Sequence, residues 1–334
     1  MSFTRFYYEL KPLIPWRVRM AIRRWFALRK RDHVSDVWPI KPGSERPPDG
    51  WPGWPYGKRF AFVLTHDIEG PKGLERFKEL AELEMSLGFR SLFNFIPEGS
   101  YRVSSESRQW LAERGFEVGV HDLNHDGKLY RSREGFRRKA ARINQYVEDW
   151  NAAGFRSAFM HHNLEWLRDL AVQYDSSTFD TDPFEPQPDG VGTIFPFWVP
   201  GRSPGSGFVE LPYTLAQDST LFVLLSEESS ALWKQKLDWI AEHGGMALLN
   251  VHPDCISLTG RQTRKDGEYS PVLYREFLEY VKEHFGGVCW HALPMEVAAY
   301  IRPYGSRLGL PEAVKLQFDP RTNNSSSDNG RLAA

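Results

Sequence analysis

The sequence predicts an α/β fold built on a parallel β-sheet. Short apolar runs with the composition of buried strands alternate along the chain with longer segments of helical periodicity. About seven strands alternate with helices in this way, and parallel strands require crossover connections of this length. In addition, three of the apolar runs end directly in acidic or histidine residues, which places polar side chains at one edge of the predicted sheet.

The predicted strands are short runs rich in the apolar, β-branched and aromatic residues that favour strands. They are Phe60–Leu64, Ser91–Ile96, Phe116–Val120, Ala158–Met160, Ile194–Trp198, Gly207–Leu211, Met246–Val251 and Gly287–Trp290. The predicted helices are longer, and their apolar residues recur at intervals of three and four. They are Leu74–Leu87, Ser105–Arg114, Ser132–Trp150, Leu164–Tyr174, Ser229–His243, Pro271–His284 and Pro294–Ile301. In the first of them Leu74, Phe77, Leu80 and Ala81 share one face, as expected for a helix that covers a sheet.

Such a sheet either closes into a barrel or stays open. A barrel carries its functional residues on the loops that follow the strands, which fits the polar residues at the predicted strand ends. An open doubly wound sheet fits nearly as well, although no Gly-x-Gly-x-x-Gly motif follows the first strand.

Composition divides the 334-residue chain into three parts. Residues 1–57 hold a basic amphipathic segment and a linker rich in Pro and Trp, residues 58–305 form the α/β domain, and residues 306–334 form a C-terminal extension. The low-complexity stretch 323–330 of this extension is predicted to be disordered. A hydrophobic fraction of 41% is sufficient for a sizeable core, whereas a net charge of −1 argues against nucleic acid as a partner.

The N-terminal segment has a distinctive pattern. Residues 1–31 contain nine Arg or Lys and a single acid, interleaved with apolar and aromatic residues. Val18, Ala21, Ile22 and Trp25 fall on one helical face, which is typical of a basic amphipathic helix on an anionic membrane surface. The alternative is a helix that packs against the main domain and keeps its basic side in solvent.

The remaining sequence features favour a reducing compartment. No run of about 20 apolar residues is long enough to span a membrane, and the N-terminus lacks the apolar segment of a signal peptide. The two cysteines, Cys255 and Cys289, do not form a disulfide framework. We therefore expect a cytoplasmic protein that makes peripheral contact with the inner membrane face; the sequence does not indicate an oligomeric state.

Two of the strand-end motifs suggest a metal site. Asp67 and Glu69 follow the first predicted strand, and His121 and His125 follow the third. Buried charges are costly unless they are paired or bound to a metal. Histidines four residues apart reach one metal from a helical turn or a tight loop, and a carboxylate from the first strand completes a facial triad with positions open for water and substrate.

Taken together, the motifs resemble the polysaccharide deacetylase family, carbohydrate esterase family four. Their order is Thr-x-Asp-x-acid-Gly, His-x-x-x-His, an arginine segment and Leu-x-x-His-Pro, and the resemblance covers roughly residues 58–300. The resemblance implies a deformed (β/α) barrel of seven strands. It also implies that a bound divalent metal helps to remove N-acetyl groups from carbohydrate.

The resemblance also implies roles for individual residues. Asp67 corresponds to the general base, and Glu69, His121 and His125 correspond to the metal ligands. His252, within Leu249-Asn250-Val251-His252-Pro253, corresponds to the general acid, and its pKa near neutrality suits proton transfer.

The remaining motifs match less closely. Arg156 corresponds to the arginine that pairs with the base, although Ala158 replaces a proline that is common in that motif. The fourth motif is matched poorly, and Asp180 or Asp182 is the predicted partner that orients His252.

The first motif departs from the family pattern in two ways. One residue is inserted between its acids, and the second acid is Glu69 where aspartate is usual. The extra methylene moves a carboxylate by about 1 Å, which matters for reacting geometry, but glutamate remains a competent ligand. The alternative is that Asp67 itself binds the metal and that the base is lost.

Further residues are predicted to contact substrate at the same rim. They are His161, His162, Asn163, Asp180 and Asp182. The two histidines follow the predicted strand Ala158–Met160, so they are candidates for substrate or a second metal, with packing as the alternative. The long loop Thr181–Gly192 is a candidate lid or subsite wall.

Three functions remain open at this point. The first is a metal-dependent N-deacetylase acting on an N-acetylated sugar or glycan intermediate in surface polysaccharide metabolism. The others are a hydrolase of another linear or cyclic amide bond and a degenerate barrel that binds glycan without turnover. Zn²⁺ is the favoured metal, and Co²⁺ and Ni²⁺ also suit two histidines and a carboxylate.

Overall fold

The computed structural model describes residues 16–258 and 267–318. The strands in chain order are β1 (Phe60–Ile68), β2 (Leu92–Phe95), β3 (Glu117–His121), β4 (Gly154–Arg156), β5 (Tyr174–Asp175), β6 (Phe197–Pro200), β7 (Gly207–Glu210), β8 (Met246–Val251) and β9 (Cys289–His291). The α-helices are α1 (Trp16–His33), α2 (Pro71–Leu87), α3 (Ser105–Ala112), α4 (Arg133–Asp149), α5 (Leu164–Leu167), α6 (Ala231–His243), α7 (Pro271–Phe285), α8 (Pro294–Ile301) and α9 (Glu312–Phe318). A π-helical segment, Ser219–Leu224, and three 3₁₀ segments, Pro55–Gly57, Ala158–Met160 and Arg302–Arg307, complete the set.

The strands form one curled sheet. Its order is β6-β7-β5-β4-β3-β2-β1-β8, and β9 also pairs with β1. The pairs are parallel except for β6 with β7. The chain after β7 bridges Phe179 through Tyr213 and reaches Leu249 of β8 through Leu215, which draws the two sides of the sheet together. The predicted deformed (β/α) barrel is confirmed.

The core explains why β1 is continuous and apolar. Every residue of β1 is buried, as expected for a parallel strand covered on both faces. Helix α2 covers it through Phe77, Leu80 and Ala81, while Leu74 is partly buried. The helix begins at Pro71 and ends at Leu87. The next residue, Gly88, caps it with a φ of 91°, which suits a residue without a side chain.

Two of the predicted elements are wrong. Ala158–Met160 is a 3₁₀ turn rather than a strand, and the strand lies just before it in β4. Helix α5 ends at Leu167 instead of continuing to Tyr174, which opens β5. Both errors have a tertiary cause, because β4 pairs in parallel with β5 (Gly154 with Tyr174, Phe155 with Asp175), a contact between distant residues that local patterns do not encode.

Strand register brings the polar strand ends together. Asp67 lies opposite Asn94 of β2, and His121 lies opposite Arg156 of β4. On the other side of β1, Thr65 lies opposite Asn250 of β8. The carboxyl ends of neighbouring parallel strands therefore meet at one rim, as the sequence predicts.

The N-terminal part packs on the barrel. Trp38 and Trp54 of the linker are buried, and the Trp54 indole donates to the Gly244 carbonyl oxygen at 2.7 Å. Helix α1 packs through Ala27, whereas the predicted apolar face that includes Trp25 points outward. Residues 1–15 and the predicted disordered stretch 323–330 lie outside the described residues. Within the described ranges, no helix is long and apolar enough to cross a bilayer.

Candidate active site

Asp67 is held as a buried carboxylate at the end of β1. Its Oδ1 accepts hydrogen bonds from Asn94 Nδ2 at 2.9 Å and Arg156 Nη1 at 3.3 Å. Its Oδ2 accepts a hydrogen bond from Asn250 Nδ2 at 2.9 Å. Burial alone would raise the pKa of Asp67, but the positive charge of Arg156 and these hydrogen bonds hold it below its ordinary value. Asp67 is thus ionised and fixed in position.

Glu69, His121 and His125 form a compact group of metal-ligand donors beside Asp67, called the donor group below. One donor atom from each of the three lies within 4.8 Å of the others. His121 comes from the end of β3, and its Nδ1 donates to the Arg156 carbonyl oxygen at 3.1 Å. That bond assigns the proton to Nδ1 and leaves the Nε2 lone pair facing the group. The His125 Nε2 lies 3.3 Å from Glu69 Oε1.

The donor set fits a divalent metal. The Nε2 atoms of His121 and His125 are buried and lack hydrogen-bond partners in the described part of the chain, a condition that is costly unless another ligand satisfies them. Two imidazole nitrogens and a carboxylate oxygen form the three-residue set of catalytic metal sites. The spacing of four residues is achieved by a tight loop, in which Asp122 and His125 adopt φ values of 54° and 55°. Such strain is characteristic of functional sites.

The residue inserted in the first motif is accommodated by Asp254. The Asp254 carboxylate accepts from the backbone N–H of Glu69 at 3.0 Å and from that of Gly73 at 2.9 Å. Gly73 is required there because a Cβ would lie 2.1 Å from Asp254 Oδ2. Asp254 therefore fixes the backbone that carries Glu69. Sequence reasoning missed it, although it follows His252 by two residues.

His252 is oriented by Asp218. Its Nδ1 donates to Asp218 Oδ1 at 2.6 Å, and its backbone N–H donates to Oδ2 at 2.9 Å. Burial favours the neutral ring, but the attraction and hydrogen bond of Asp218 outweigh it and raise the pKa of His252 to about 10. The Nε2 lies 3.9 Å from Glu69 Oε1. The expectation of a pKa near neutrality is therefore wrong, and His252 presents a proton toward the donor group.

The predicted partner of His252 was therefore the wrong acid. Asp180 accepts from Lys236 Nζ at 2.6 Å, and Asp182 accepts from the Tyr213 hydroxyl at 2.9 Å. Asp218 lies 34 residues before His252, at the start of the π-helical segment. Its only sequence signal is a position shortly after a strand, which many acids share.

The other predicted rim residues have mixed environments. His162 is buried, with its Nδ1 bonded to the Met160 carbonyl oxygen at 2.9 Å. Asn163 caps helix α5 by accepting from the Trp166 backbone N–H at 3.0 Å. Both contacts stabilise local structure. His161 is half-buried and follows the 3₁₀ turn.

Phe159 was missed by sequence reasoning. It is 44% exposed, and its ring centroid lies 4.8 Å from that of His125. Its φ of 57° and the φ of 51° at Met160 are unusual for residues with side chains. This strained turn places an apolar ring directly beside the donor group.

The loop Thr181–Gly192 connects to the site through hydrogen bonds. Glu185 accepts from Gln217, and Gln217 Oε1 accepts from Asn250 Nδ2 at 2.9 Å. Because Asn250 also binds Asp67, the loop belongs to the network that supports the carboxylate. Burial, followed by the negative charge of Asp182, raises the pKa of Glu185 to about 8.

Comparisons with known proteins find similarity only among solved structures. No family model matches the sequence, and no curated protein matches it. A protein described as a "putative polysaccharide deacetylase" from Mycobacterium smegmatis is 19% identical, with 77% of this chain and 94% of that chain covered at a TM-score of 0.55.

Two other similarities are weaker. The 4-alpha-glucanotransferase from Thermococcus litoralis is 12% identical, with 72% of this chain and 40% of that chain covered at a TM-score of 0.46. The peptidoglycan deacetylase PdaC from Bacillus subtilis is 11% identical, with 76% of this chain and 96% of that chain covered at a TM-score of 0.43. Scores this low support no conclusion about this chain. The Mycobacterium similarity concerns the fold, and the protein therefore shares the fold of that "putative polysaccharide deacetylase", the family that its motifs resemble.

Proposed function

We propose that this protein is a metal-dependent deacetylase that removes an N-acetyl group from a sugar or glycan intermediate. The observation that carries the proposal is the convergence of His125, Glu69 and the buried His121 Nε2, which lacks a hydrogen-bond partner in the described residues, beside the fixed carboxylate of Asp67. A set of metal-ligand donors next to an ionised base, open to solvent on the Glu69 side, is suited to hydrolysis.

The metal would be held by Glu69, His121 and His125, with Zn²⁺ as the favoured ion. When bound, it would supply Lewis acidity that lowers the pKa of a water and polarises an acyl carbonyl. Glu69 is longer than aspartate, and the Asp254 carboxylate compensates by holding its backbone N–H. This arrangement supports a functional ligand rather than a degenerate one.

Asp67 serves as the general base. Its Oδ2 lies 4.0 Å from His121 Nε2, so a water positioned at the donor group lies within reach of the carboxylate. The charge of Arg156 keeps Asp67 ionised until the water's proton is transferred to it. Asn94 and Asn250 prevent the carboxylate from rotating away.

His252 serves as the general acid. Its raised pKa keeps the imidazolium protonated at neutral pH, and Asp218 fixes the ring so that Nε2 faces the opening. The proton on Nε2 is donated to the departing amine nitrogen, which cannot leave as an amide anion. The exposed ring of Phe159 offers an apolar surface on which a sugar can stack.

Acetate release tests this proposal. Zinc-reconstituted protein is expected to bind about one ion per chain and to release acetate from N-acetylglucosamine oligomers. His121→Ala should lose the ion. If hydrolysis of other amides occurs without acetate release, the amide-hydrolase alternative replaces the proposal; if the parent protein binds no metal, the glycan-binding alternative does.

Asp67→Asn tests the assignment of roles. The variant should keep its metal and lose about 10²–10⁴ in turnover, because an amide cannot accept the proton. Loss of metal from this variant would make Asp67 a ligand and reverse the assignment. Gln145→Asn, an amide change on the surface of α4, is the matched control.

We propose separately that the protein is cytoplasmic. The described structure contains no disulfide between Cys255 and Cys289, which supports a reducing compartment and hence action on an intermediate of glycan assembly. Cell fractionation tests it, and recovery of the protein outside the cell would contradict it.

A further inference from the structure

Helix α1 is attached to the barrel by one polar face. Arg24 donates from Nε to the Leu224 carbonyl oxygen at 3.1 Å and from Nη2 to that of Val223 at 2.9 Å. About two turns further along, Arg31 pairs with Glu227. These contacts, together with the buried Ala27, determine which side of the helix faces the protein.

The opposite face is apolar and exposed. At about 100° per residue, Val18, Trp25 and Phe26 lie about 100° to 160° around the helix axis from Arg24, whereas Leu28 lies nearer the attached side. Val18 is 47% exposed, Trp25 48%, Phe26 50% and Leu28 40%. Eight large hydrophobic side chains are exposed in the described ranges, and four of them lie on this helix. A cluster of this kind marks an interaction site, whereas single exposed residues do not.

The exposed face also carries positive charge. Arg29 lies on this face, with its guanidinium 3.9 Å from the centroid of the Trp25 ring, and Arg23 is exposed at the edge of the face next to Phe26. Asp32 is the only acid in the helix. Aromatic rings beside arginines are typical of helices that lie in the boundary region of an anionic bilayer, where the rings enter the interface and the guanidinium groups meet lipid phosphates.

We propose that the outward face of α1 binds the surface of an anionic lipid bilayer. Charge complementarity favours this occupant over a second copy of the chain. Two copies that pack these faces together would bring two basic helices against each other, each with Asp32 as its only acid, and like charges repel. An anionic surface meets both arginines with opposite charge.

The attachment also links the bilayer to the catalytic rim. The carbonyl groups that Arg24 contacts belong to the segment that begins directly after Asp218, the partner of His252. A rigid connection of this kind keeps the rim at a constant orientation to the surface. This inference goes beyond the proposed deacetylation and does not depend on it, because binding is measured without turnover.

Co-sedimentation with vesicles tests the inference. The full chain is mixed with vesicles of phosphatidylcholine alone or of phosphatidylcholine with phosphatidylglycerol. We expect binding to the anionic vesicles only. The double variant Arg23→Glu/Arg29→Glu should bind at least tenfold more weakly, because two positive charges near the anionic surface become negative. Trp25→Ala/Phe26→Ala should also lose about tenfold.

Matched controls lie elsewhere on the surface. Tyr56→Ala removes an aromatic side chain that is 86% exposed, and Arg138→Glu reverses an exposed charge on α4. Both should bind as the parent does. Equal binding of parent and α1 variants, or equal binding to neutral and anionic vesicles, would overturn the inference. A concentration-dependent dimer that the Trp25→Ala/Phe26→Ala variant abolishes would overturn it too, since a second copy would then be the occupant.

Discussion

Two buried histidine–carboxylate pairs lie at neighbouring strand ends, and they differ in what surrounds the second ring nitrogen. In one, His66 Nε2 lies 2.7 Å from Glu84 Oε1. In the other, His252 Nδ1 lies 2.6 Å from Asp218 Oδ1. The four side chains are at most 6% exposed. Burial and pairing therefore do not distinguish them.

The His66 pair is closed on all sides. The second nitrogen of His66 bonds the Val251 carbonyl oxygen at 3.0 Å. Glu84 also accepts from the Ser91 hydroxyl at 2.6 Å and from the Tyr274 hydroxyl. Every polar atom of the pair has a protein partner, so the pair can only support structure.

The His252 pair is open on one side. Its Nε2 lies 3.5 Å from Asn250 Nδ2 and 3.9 Å from Glu69 Oε1, at the edge of the donor group. Strand geometry explains the contrast, because successive residues of a strand point to opposite faces. His66 points to the helices α2 and α7, whereas Asp67 points to the barrel interior. A histidine is suited to catalysis only where one nitrogen remains available.

The largest expected effect is on turnover at the open pair. His252→Gln should lower acetate release by about 10²–10⁴ while leaving metal content unchanged, because glutamine cannot deliver the proton. Single-turnover kinetics and elemental analysis of the same sample would measure both quantities. Turnover within threefold of the parent would remove His252 from the mechanism.

The closed pair should respond in stability rather than in turnover. His66→Phe leaves the Glu84 carboxylate buried without its main partner, which should cost about 3–5 kcal/mol of unfolding free energy. Urea denaturation measures this loss, and turnover per folded molecule should remain close to that of the parent. A large loss of turnover with unchanged stability would contradict the contrast between the pairs.

An effect on the pH dependence of stability is expected at the start of β3, where the Glu117 carboxyl is buried. Burial raises the pKa of Glu117 to about 7, despite hydrogen bonds from Tyr174 and Met295. The folded state therefore binds this proton more tightly than the unfolded state, so the favourable contribution is complete below pH 4.5 and is lost as the pH rises through 7.

The expected loss from Glu117 is about 3 kcal/mol between pH 4.5 and pH 8. Urea denaturation across this range should show it in the parent and not in Glu117→Gln. Identical pH dependence of the two proteins would mean that Glu117 does not titrate in this window.

The smallest expected effect concerns Asp254, which supports the donor group from outside. Asp254→Asn replaces one of the two side-chain oxygens that accept hydrogen bonds from the backbone N–H groups of Glu69 and Gly73. The change should weaken metal affinity about 10- to 100-fold. Competition with a chelator measures the affinity directly. Asp149→Asn on the surface of α4 is the control. Unchanged affinity would show that the Glu69 backbone is held by the fold alone.

Much of the site is predictable because it depends on local pattern. Asp67, Glu69, His121 and His252 lie at or directly after the carboxyl end of a buried strand. The carboxyl ends of parallel strands share a rim. Residue type and strand position therefore suffice to bring these groups together.

Asp218 was not predictable in the same way. Its contact with His252 depends on the path of the chain after β7, which bridges back to β8 through Leu215. No local pattern encodes that path. Asp180 and Asp182 look equally suitable in sequence, but the fold places them against Lys236 and Tyr213.

The alternation of strands and helices, the strand-end motifs and the amphipathic character of α1 follow from local sequence, because each depends on residues close together in the chain. Long-range packing sets which histidine nitrogens stay available, which acid orients His252 and which face of α1 points outward. Those features depend on contacts between residues far apart in sequence, and long-range packing selects among partners that local chemistry leaves equivalent.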